Sequence, residues 1–297
     1  MNMNDSNERT LAQAVNFQYK ARLFEMIFRG KKELLELYNA VNGSHYTDES
    51  LLQINTLGNA VYMSMHNDIS FLFDTANLYL YEHQSTWNPN MPLRELQYMA
   101  SLYSVLTKDD NLYGKTMVKI PTPGFVMFYN GVDKDVPDRL VLKLSDMFIK
   151  PEAEPALELK TVVLNINRGH NLKLMETCRT LRDYAEYTAR VREYVKTLPI
   201  EDAVDRAVTE CIRDGILAEF LSRYRAEVIR VSIFEYDEER HLRQEREEAA
   251  HKRSEEMAMD MIVDGKLKLE DIARYSRLPM SEVEKLSRDM DNRMQPV

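Results

Sequence analysis

Apolar residues recur three and four residues apart near the start of the chain. Between Arg22 and Val41 they form one stripe, and charged residues occupy many of the remaining positions. This spacing predicts an amphipathic helix. Asn42-Gly43-Ser44 ends it, because glycine readily adopts the left-handed conformation found after helix C-termini. The stripe that we expect to face the core comprises Leu23, Ile27, Leu34, Leu37 and Tyr38.

Short segments rich in aromatic and aliphatic residues come next. Leu51–Ile54 and Ala60–Met65 are followed by Ile69–Phe73 and Leu78–Tyr81, and the last two flank the polar stretch Asp74-Thr75-Ala76-Asn77. Two such segments around a polar loop are typical of a β-hairpin.

A second helix and two more strands complete the pattern of this region. After the break at Asn88–Pro92, helical spacing runs from Leu93 to Thr107. Phe125–Tyr129 and Leu159–Ile166 predict strands, the first of which ends at the turn-forming pair Asn130-Gly131. This order of helices and strands predicts the α/β fold class. The helix face that we expect to pack on the core comprises Leu93, Leu96, Ala100, Tyr103 and Leu106.

The C-terminal part of the chain is predicted to be helical. Leu172–Leu198 and Ala203–Glu227 have long helical patterns, and Phe234–Asp260 carries mixed charges typical of a solvated helix face, with coiled-coil dimerisation as the alternative. The last segments resemble a helix-turn-helix, but their charges nearly cancel, whereas a DNA-reading helix usually lies in a basic patch. A packing or oligomerisation motif therefore stays open. These last segments are Met257–Val263, Leu269–Tyr275 and Ser281–Leu286.

Composition and charge are those of a folded protein. The 297 residues are 44% hydrophobic and 29% charged, with a formal net charge of −9. This acidic balance argues against attraction of the whole surface to nucleic acid, although a local basic groove or a bound metal ion can override it at one site. Cys178 and Cys211 are too few for a disulfide framework, and neither a secretory leader in Met1–Thr10 nor a membrane-length apolar run is present. We therefore expect a cytoplasmic protein with no membrane partner.

Polar residues stand at the open end of the predicted hairpin. Asp68 precedes the first strand, and Glu82-His83-Gln84 ends the second. Alternate residues of a strand share a face, so Glu82 and Gln84 project together while His83 points toward the core as an ordinary buried histidine. Metal-dependent phosphodiester hydrolysis needs hard oxygen ligands of this kind. Plain polar residues at a half-exposed strand end are the alternative.

The register of the hairpin decides whether Asp68 joins this set. If the loop has an odd number of residues centred near Ala76, Asp68 lies opposite Gln84 and on the face of Glu82. A two-residue turn would put Asp68 on the opposite face. We therefore predict an odd loop, or a bulge that restores the register. The polar face would then comprise Asp68, Ser70, Leu72, Leu80, Glu82 and Gln84, and the core face Ile69, Phe71, Phe73, Tyr79, Tyr81 and His83.

Several ordered motifs resemble those of one protein family. Asn67–Phe73, Leu80–Arg94, Ile120–Gly131 and Leu142–Phe148 are similar to segments of the PD-(D/E)XK nuclease family transposases, bacterial proteins also called recombination-promoting nucleases. The resemblance extends over Leu23–Ile166, and the helical tail is similar too. It implies a restriction-endonuclease-like core, in which a mixed sheet is flanked by helices, with an all-α C-terminal extension and Mg²⁺-dependent or Mn²⁺-dependent DNA cleavage.

By position, the resemblance implies that Asp68 and Glu82 bind the metal and that these two residues and Gln84 are catalytic. Gln84 stands where the superfamily has a lysine, so it cannot supply a positive charge, although it can orient a water molecule. Four more residues are candidates beside ordinary surface roles: Glu25 and Glu33 to complete the metal shell, and Arg94 and Gln97 to contact the site or a phosphate.

The leading hypothesis is a Mg²⁺-dependent DNA endonuclease of mobile elements or recombination, with DNA as its partner. A homodimer through the C-terminal helices is a further expectation. The alternatives are a catalytically weak or inactive member that acts as a DNA-binding or protein-interaction module, and a regulator whose terminal motif reads DNA; Gln84 and the acidic net charge favour them. We expect a nuclease-like domain in residues 1–170, a helical extension in 171–256 and a helix-turn-helix-like motif in 257–297.

Overall fold

A computed structural model describes residues 23–54, 68–132 and 134–294. The predicted segment Ala60–Met65 and the stretch Met1–Thr10 lie outside the described residues. Helices α1–α10 are Leu23–Phe28, Lys31–Asn42, Met91–Leu106, Leu172–Thr177, Arg179–Tyr194, Ile200–Arg213, Ala218–Arg223, Arg225–Asp264, Leu269–Ser276 and Met280–Met294. Strands β1–β6 are Leu52–Ile54, Ile69–Phe73, Asn77–Gln84, Thr122–Tyr129, Arg139–Lys143 and Lys160–Asn165.

The strands form one mixed sheet with the order β1-β2-β3-β4-β6-β5. β1, β2 and β3 pair antiparallel, β3, β4 and β6 pair parallel, and β5 pairs antiparallel with β6. A parallel neighbour needs a crossover, and α3 lies in the connection from β3 to β4. The predicted α/β class and the helical C-terminal part are confirmed. β5 is a strand that the residue pattern did not predict.

The two faces of the central hairpin pack against different layers. Ile69, Phe71, Phe73 and Tyr81 join a large core with residues of α1, α2 and α4–α8. Residues of the opposite face pack with α3 instead: Leu72, Leu78, Leu80 and Phe125 contact Tyr98, Met99 and Leu102. Both faces are therefore covered, and the predicted division of the hairpin into two faces is confirmed.

A three-residue loop sets the register of this hairpin. Phe73 pairs with Asn77 across Asp74-Thr75-Ala76, and the amide of Ala76 donates to the carbonyl of Phe73 at 3.2 Å. Asp74 and Thr75 adopt positive φ angles of 47° and 53°. The prediction of an odd loop is confirmed. The loop is centred on Thr75, however, and not near Ala76 as expected, because Asn77 already pairs with Phe73.

Several predicted helices are interrupted by short segments of one to four residues in another conformation. Gly30 is extended (φ −70°, ψ 133°) and separates α1 from α2, and Cys178 (φ −119°, ψ 95°) separates α4 from α5. Gly215 and Leu217, both at positive φ, lie between α6 and α7. Met257–Val263 belongs to the end of α8. The apolar pattern did not predict these boundaries because the helices before and after each break bury their apolar stripes in the same core.

The face of α3 differs from the predicted one. Its buried residues are Met91, Pro92, Glu95, Tyr98, Met99 and Leu102. Leu96 and Tyr103 of the predicted stripe are partly buried against the core between α3 and the sheet, as expected, but Ala100 is exposed and Leu93 and Leu106 are each 41% exposed, so the prediction is only partly correct. The prediction missed part of this face because Glu95 lies on it. A pattern based on hydrophobicity places a carboxylate on the solvent side of a helix.

The chain divides into two compact units, Met1–Glu235 and Tyr236–Val297, and the last helices belong to the second. The second unit has its own small core of Ala258, Ile272, Leu278 and Val283. Arg277, at φ 60°, stands between α9 and α10. The described side chains of residues 237–253 are exposed, as expected for a solvated helix. The helix-turn-helix assignment, the homodimer and the domain limits at 170 and 256 remain predictions. Within the described ranges, no helix has the length and apolar character needed to cross a membrane.

We predict that Thr75→Gly stabilises the protein. A β-branched residue at positive φ is strained, and glycine adopts this conformation without that cost. We expect the free energy of unfolding, measured in urea, to rise by about 1 kcal/mol. Ala76→Gly is the control, because Ala76 is not at positive φ and glycine there only adds chain entropy to the unfolded state. A lower stability of Thr75→Gly would contradict the prediction.

Candidate active site

Glu82 and Gln84 end strand β3 on the face that α3 covers. β3 is paired on both sides, and Glu82 and Gln84 lie beside Met127 and Tyr129 of β4. The two residues are nearly buried, with 5% and 7% of their whole surface exposed. The side-chain amide nitrogen of Gln84 donates to Oε2 of Glu82 at 3.4 Å. The pattern therefore brings a carboxylate and an amide together at the end of a central strand.

Asp68 meets these residues through the main chain of β3. Its Oδ2 accepts a hydrogen bond from the amide of His83 at 2.6 Å. Ile69 pairs with Tyr81, so Asp68 is level with Glu82. The predicted position opposite Gln84 is wrong by two residues, because the loop is centred one residue earlier than expected. The Asp68 carboxylate thus lies at the backbone amide of His83, between Glu82 and Gln84. Asp68 itself is the residue just before β2.

Arg94 from the first turns of α3 approaches the same carboxylate. Its Nη2 is 3.8 Å from Oε2 of Glu82, and its Nη1 donates weakly to the sulfur of Met91 at 3.4 Å. The Arg94 side chain is 38% exposed, whereas that of Glu82 is 7% exposed. Glu82 is therefore a nearly buried carboxyl group with the guanidinium of Arg94 on its more exposed side.

Glu95, the next residue of α3, was not identified by sequence analysis. It is 2% exposed and accepts a short hydrogen bond from the hydroxyl of Thr161 on β6. Its other oxygen, Oε1, has no hydrogen-bond partner among the described residues. Burial raises the pKa of Glu95 to about 8, against the opposing effects of Thr161 and Arg94. The side chain is therefore mostly a neutral acid at pH 7.

His83 points to the opposite face, as predicted. Its ring stacks on Phe24 with 5.1 Å between ring centroids, and its Nε2 lies 2.9 Å from the hydroxyl of Tyr184. It is 4% exposed. These contacts are those of a buried core histidine, and they tie β3 to α1 and α5.

An aromatic residue lies three positions beyond Gln84. Trp87, the single tryptophan of the chain, packs edge-on against Tyr129, and the ammonium group of Lys134 lies 4.1 Å from the centre of a Trp87 ring. Gly131 lies close by, where a Cβ would come within 2.4 Å of the carbonyl oxygen of Ser85. Gly131 has no positive φ, so its backbone conformation does not require glycine. Glycine is needed here because a side chain would collide with the carbonyl oxygen of Ser85.

Two of the remaining candidate residues lie on the other face of the sheet from Glu82, and the third is exposed. Glu25 and Glu33 are on α1 and α2, which pack on the His83 face of the sheet, and Glu25 pairs with Arg29 at 2.7 Å. Gln97 is exposed on α3. Both cysteines are buried and unbonded to each other, as expected.

The oxygen atoms at this end of β3 are of the kind that bind magnesium. Two carboxylates, Asp68 and Glu82, and the amide oxygen of Gln84 are hard oxygen donors, and Mg²⁺ is usually held by one or two carboxylates together with water and substrate phosphates. In the part of the chain that the structure describes, no group of three or more His, Cys, Asp or Glu side chains is arranged to hold a metal. A site built here would therefore depend on water and substrate for its other ligands.

Comparison of the chain with protein-family models, curated proteins and solved structures gave no match. A function for this protein therefore rests on the chemistry of its own residues.

We predict that the stability of the protein depends on pH through Glu95. A carboxyl whose pKa rises from 4.5 to about 8 on folding takes up a proton when the chain folds. Its contribution is fully present below pH 4.5 and is lost as the pH rises toward 8, by at most about 1.4 kcal/mol per pH unit. Glu95→Gln mimics the neutral acid and removes this dependence.

The measurement is urea unfolding of wild type and Glu95→Gln at several pH values between about 5 and about 9, a range chosen to bracket the Glu95 titration. We expect the variant to gain stability relative to wild type as the pH rises. Exposed Glu154→Gln is the matched control, for which the difference should stay constant. A constant difference for Glu95→Gln as well would contradict the prediction.

Proposed function

We propose that this chain is a Mg²⁺-dependent DNA endonuclease with a restriction-endonuclease-like core, akin to the PD-(D/E)XK nuclease family transposases. The observation that carries the proposal is the hydrogen bond from the amide of His83 to Asp68, because it brings the Asp68 carboxylate to the main chain between Glu82 and Gln84. The mixed sheet with helices on both faces, which the resemblance implies, supports the proposal as well.

The chemistry follows from the residue types at this end of the sheet. A divalent ion, when bound, acts as a Lewis acid and lowers the pKa of water. Asp68 and Glu82 would hold that ion by their carboxylates, with β3 as a rigid support. Gln84 would orient the attacking water through its amide, which both donates and accepts hydrogen bonds. The covering helix α3 excludes bulk water from one side of Glu82.

An inactive family member that binds DNA or a protein is the second candidate. The observation that favours it is the amide of Gln84, which donates to Glu82 and carries no charge where a lysine is expected. In this case Asp68 would serve only to close the end of the hairpin through the amide of His83. The two candidates make different predictions for a variant that keeps the hydrogen bond of Asp68 but removes its negative charge. Such a variant should lose activity only if the protein is an endonuclease.

We predict that Asp68→Asn abolishes cleavage while the fold persists. The asparagine oxygen can still accept from the amide of His83, but the negative charge that would hold the metal is gone. Nicking of supercoiled plasmid in Mg²⁺ or Mn²⁺ should fall on the order of 100-fold, equal to about 2.7 kcal/mol in the barrier. Glu82→Gln should behave in the same way.

Asp74→Asn is the matched control, because Asp74 is an exposed carboxylate at the other end of the same hairpin. It should cleave like wild type. Thermal melts check that all variants fold. Equal nicking by wild type and Asp68→Asn, or no nicking by wild type in either metal, would refute the endonuclease and leave the binding module.

A further inference from the structure

The proposed site lacks a positive charge on β3, and α3 brings one to it. Gln84 is neutral, whereas the guanidinium of Arg94 lies 3.8 Å from Glu82. We propose that Arg94 is the cationic catalytic residue of this site and that it binds the non-bridging oxygens of the scissile phosphate in place of a lysine at position 84. This inference rests on the proposed endonuclease function and names a further residue of the same site.

The backbone of Arg94 is held firmly. Met91 and Glu95 on either side of it are buried, and Glu95 is hydrogen-bonded to Thr161 of β6. Arg94 therefore starts from a fixed point on the first turns of α3. Its side chain, 38% exposed, leads from that point to the solvent side of Glu82. A phosphate that approaches from solvent can thus meet the guanidinium before it reaches the buried carboxylate.

The guanidinium has hydrogen-bonding capacity left for a ligand. Its 3.8 Å approach to Glu82 is longer than a hydrogen bond, and thioether sulfur, its partner in Met91, is a weak acceptor. Across the described ranges Arg94 has no other ion pair or hydrogen bond through its side chain. Glu95 makes no hydrogen bond with it among the described residues, and Oε2 of that carboxyl accepts from Thr161 instead. Arginine presents a planar fork that matches two phosphate oxygens and stays protonated at all relevant pH values.

The contact with Glu82 has a consequence for metal binding. Arg94 and a divalent cation interact with the same carboxylate, so they oppose each other when no DNA is bound. When a phosphate is present, the guanidinium can leave Glu82 for the phosphate oxygens and would then no longer compete with the metal for that carboxylate. Removal of the charge should therefore strengthen metal binding by the protein alone while it weakens DNA binding.

We predict that Arg94→Met lowers plasmid cleavage on the order of 100-fold, the size of effect found when one donor to a developing charge is removed. Arg94→Lys should keep a larger part of the activity. The decisive variant is Arg94→Met combined with Gln84→Lys. If the site needs one cation, lysine on β3 should restore cleavage by about 10-fold or more relative to Arg94→Met, which corresponds to about 1.4 kcal/mol.

Two binding measurements test the same residue without activity. Calorimetric titration with Mn²⁺ in the absence of DNA should give tighter binding for Arg94→Met than for wild type. Anisotropy of a labelled DNA duplex in the absence of metal should give weaker binding, with a salt-dependence slope smaller by about one. Arg139→Met removes an exposed arginine at the start of β5 and is the control. It should change neither cleavage nor Mn²⁺ binding.

The outcomes separate the two proposals. If wild type cleaves DNA and Arg94→Met cleaves equally well, the endonuclease stands and the role of Arg94 is refuted. A loss in Arg94→Met that Gln84→Lys does not restore, with unchanged Mn²⁺ and DNA affinities, would mean a structural role and also refute it. If wild type does not cleave, the endonuclease fails, and unchanged Mn²⁺ and DNA affinities in Arg94→Met would refute the Arg94 assignment independently.

Discussion

The register of the β2–β3 hairpin is the constraint on which the rest of this structure depends. A three-residue loop pairs Phe73 with Asn77, and this pairing fixes every residue of both strands to one face of the sheet. A shift of one residue would exchange the faces of Phe71 and Leu72. The aromatic core would then lose its sheet side, and Asp68 would no longer be level with Glu82. The loop keeps this register with two residues at positive φ, which indicates that the packing on both faces outweighs the local strain.

Helix α3 connects the stability of the protein with the chemistry of the candidate site. It lies in the crossover between two parallel strands, and it packs on the face of β3 that carries Glu82 and Gln84. Two adjacent residues of α3 take opposite environments. Glu95 is buried against Thr161 with a raised pKa, and Arg94 turns to the solvent side of Glu82. Burial of a charged carboxylate costs more free energy than burial of the neutral acid. Glu95, mostly neutral at pH 7, binds Thr161 of β6 and so anchors the helix that carries the guanidinium.

Sequence patterns predicted some elements well and others poorly for identifiable reasons. The stripe of Leu23, Ile27, Leu34, Leu37 and Tyr38 is buried as predicted, but the break at Gly30 was missed because the stripe continues across it. The predicted face of α3 was only partly correct: Leu96 and Tyr103 pack on the core, but the buried stripe also contains Glu95, which the pattern left out. Glu82 and Gln84 were correctly paired on one face by alternation alone. Glu95, Thr161, Trp87 and Lys134 gave no recognisable motif, since they come from separate segments of the chain.

What the sequence determined by itself is the division of β2 and β3 into faces and the residue types at the end of the hairpin. Both follow from the two-residue period of a strand, which is a local property of the backbone. The tertiary structure alone decided that Asp68 stands level with Glu82, that Arg94 reaches Glu82 and that Glu95 is buried. Each of these depends on where one element docks on another, and the free energy of docking is spread over many distant contacts that no short segment of the chain contains.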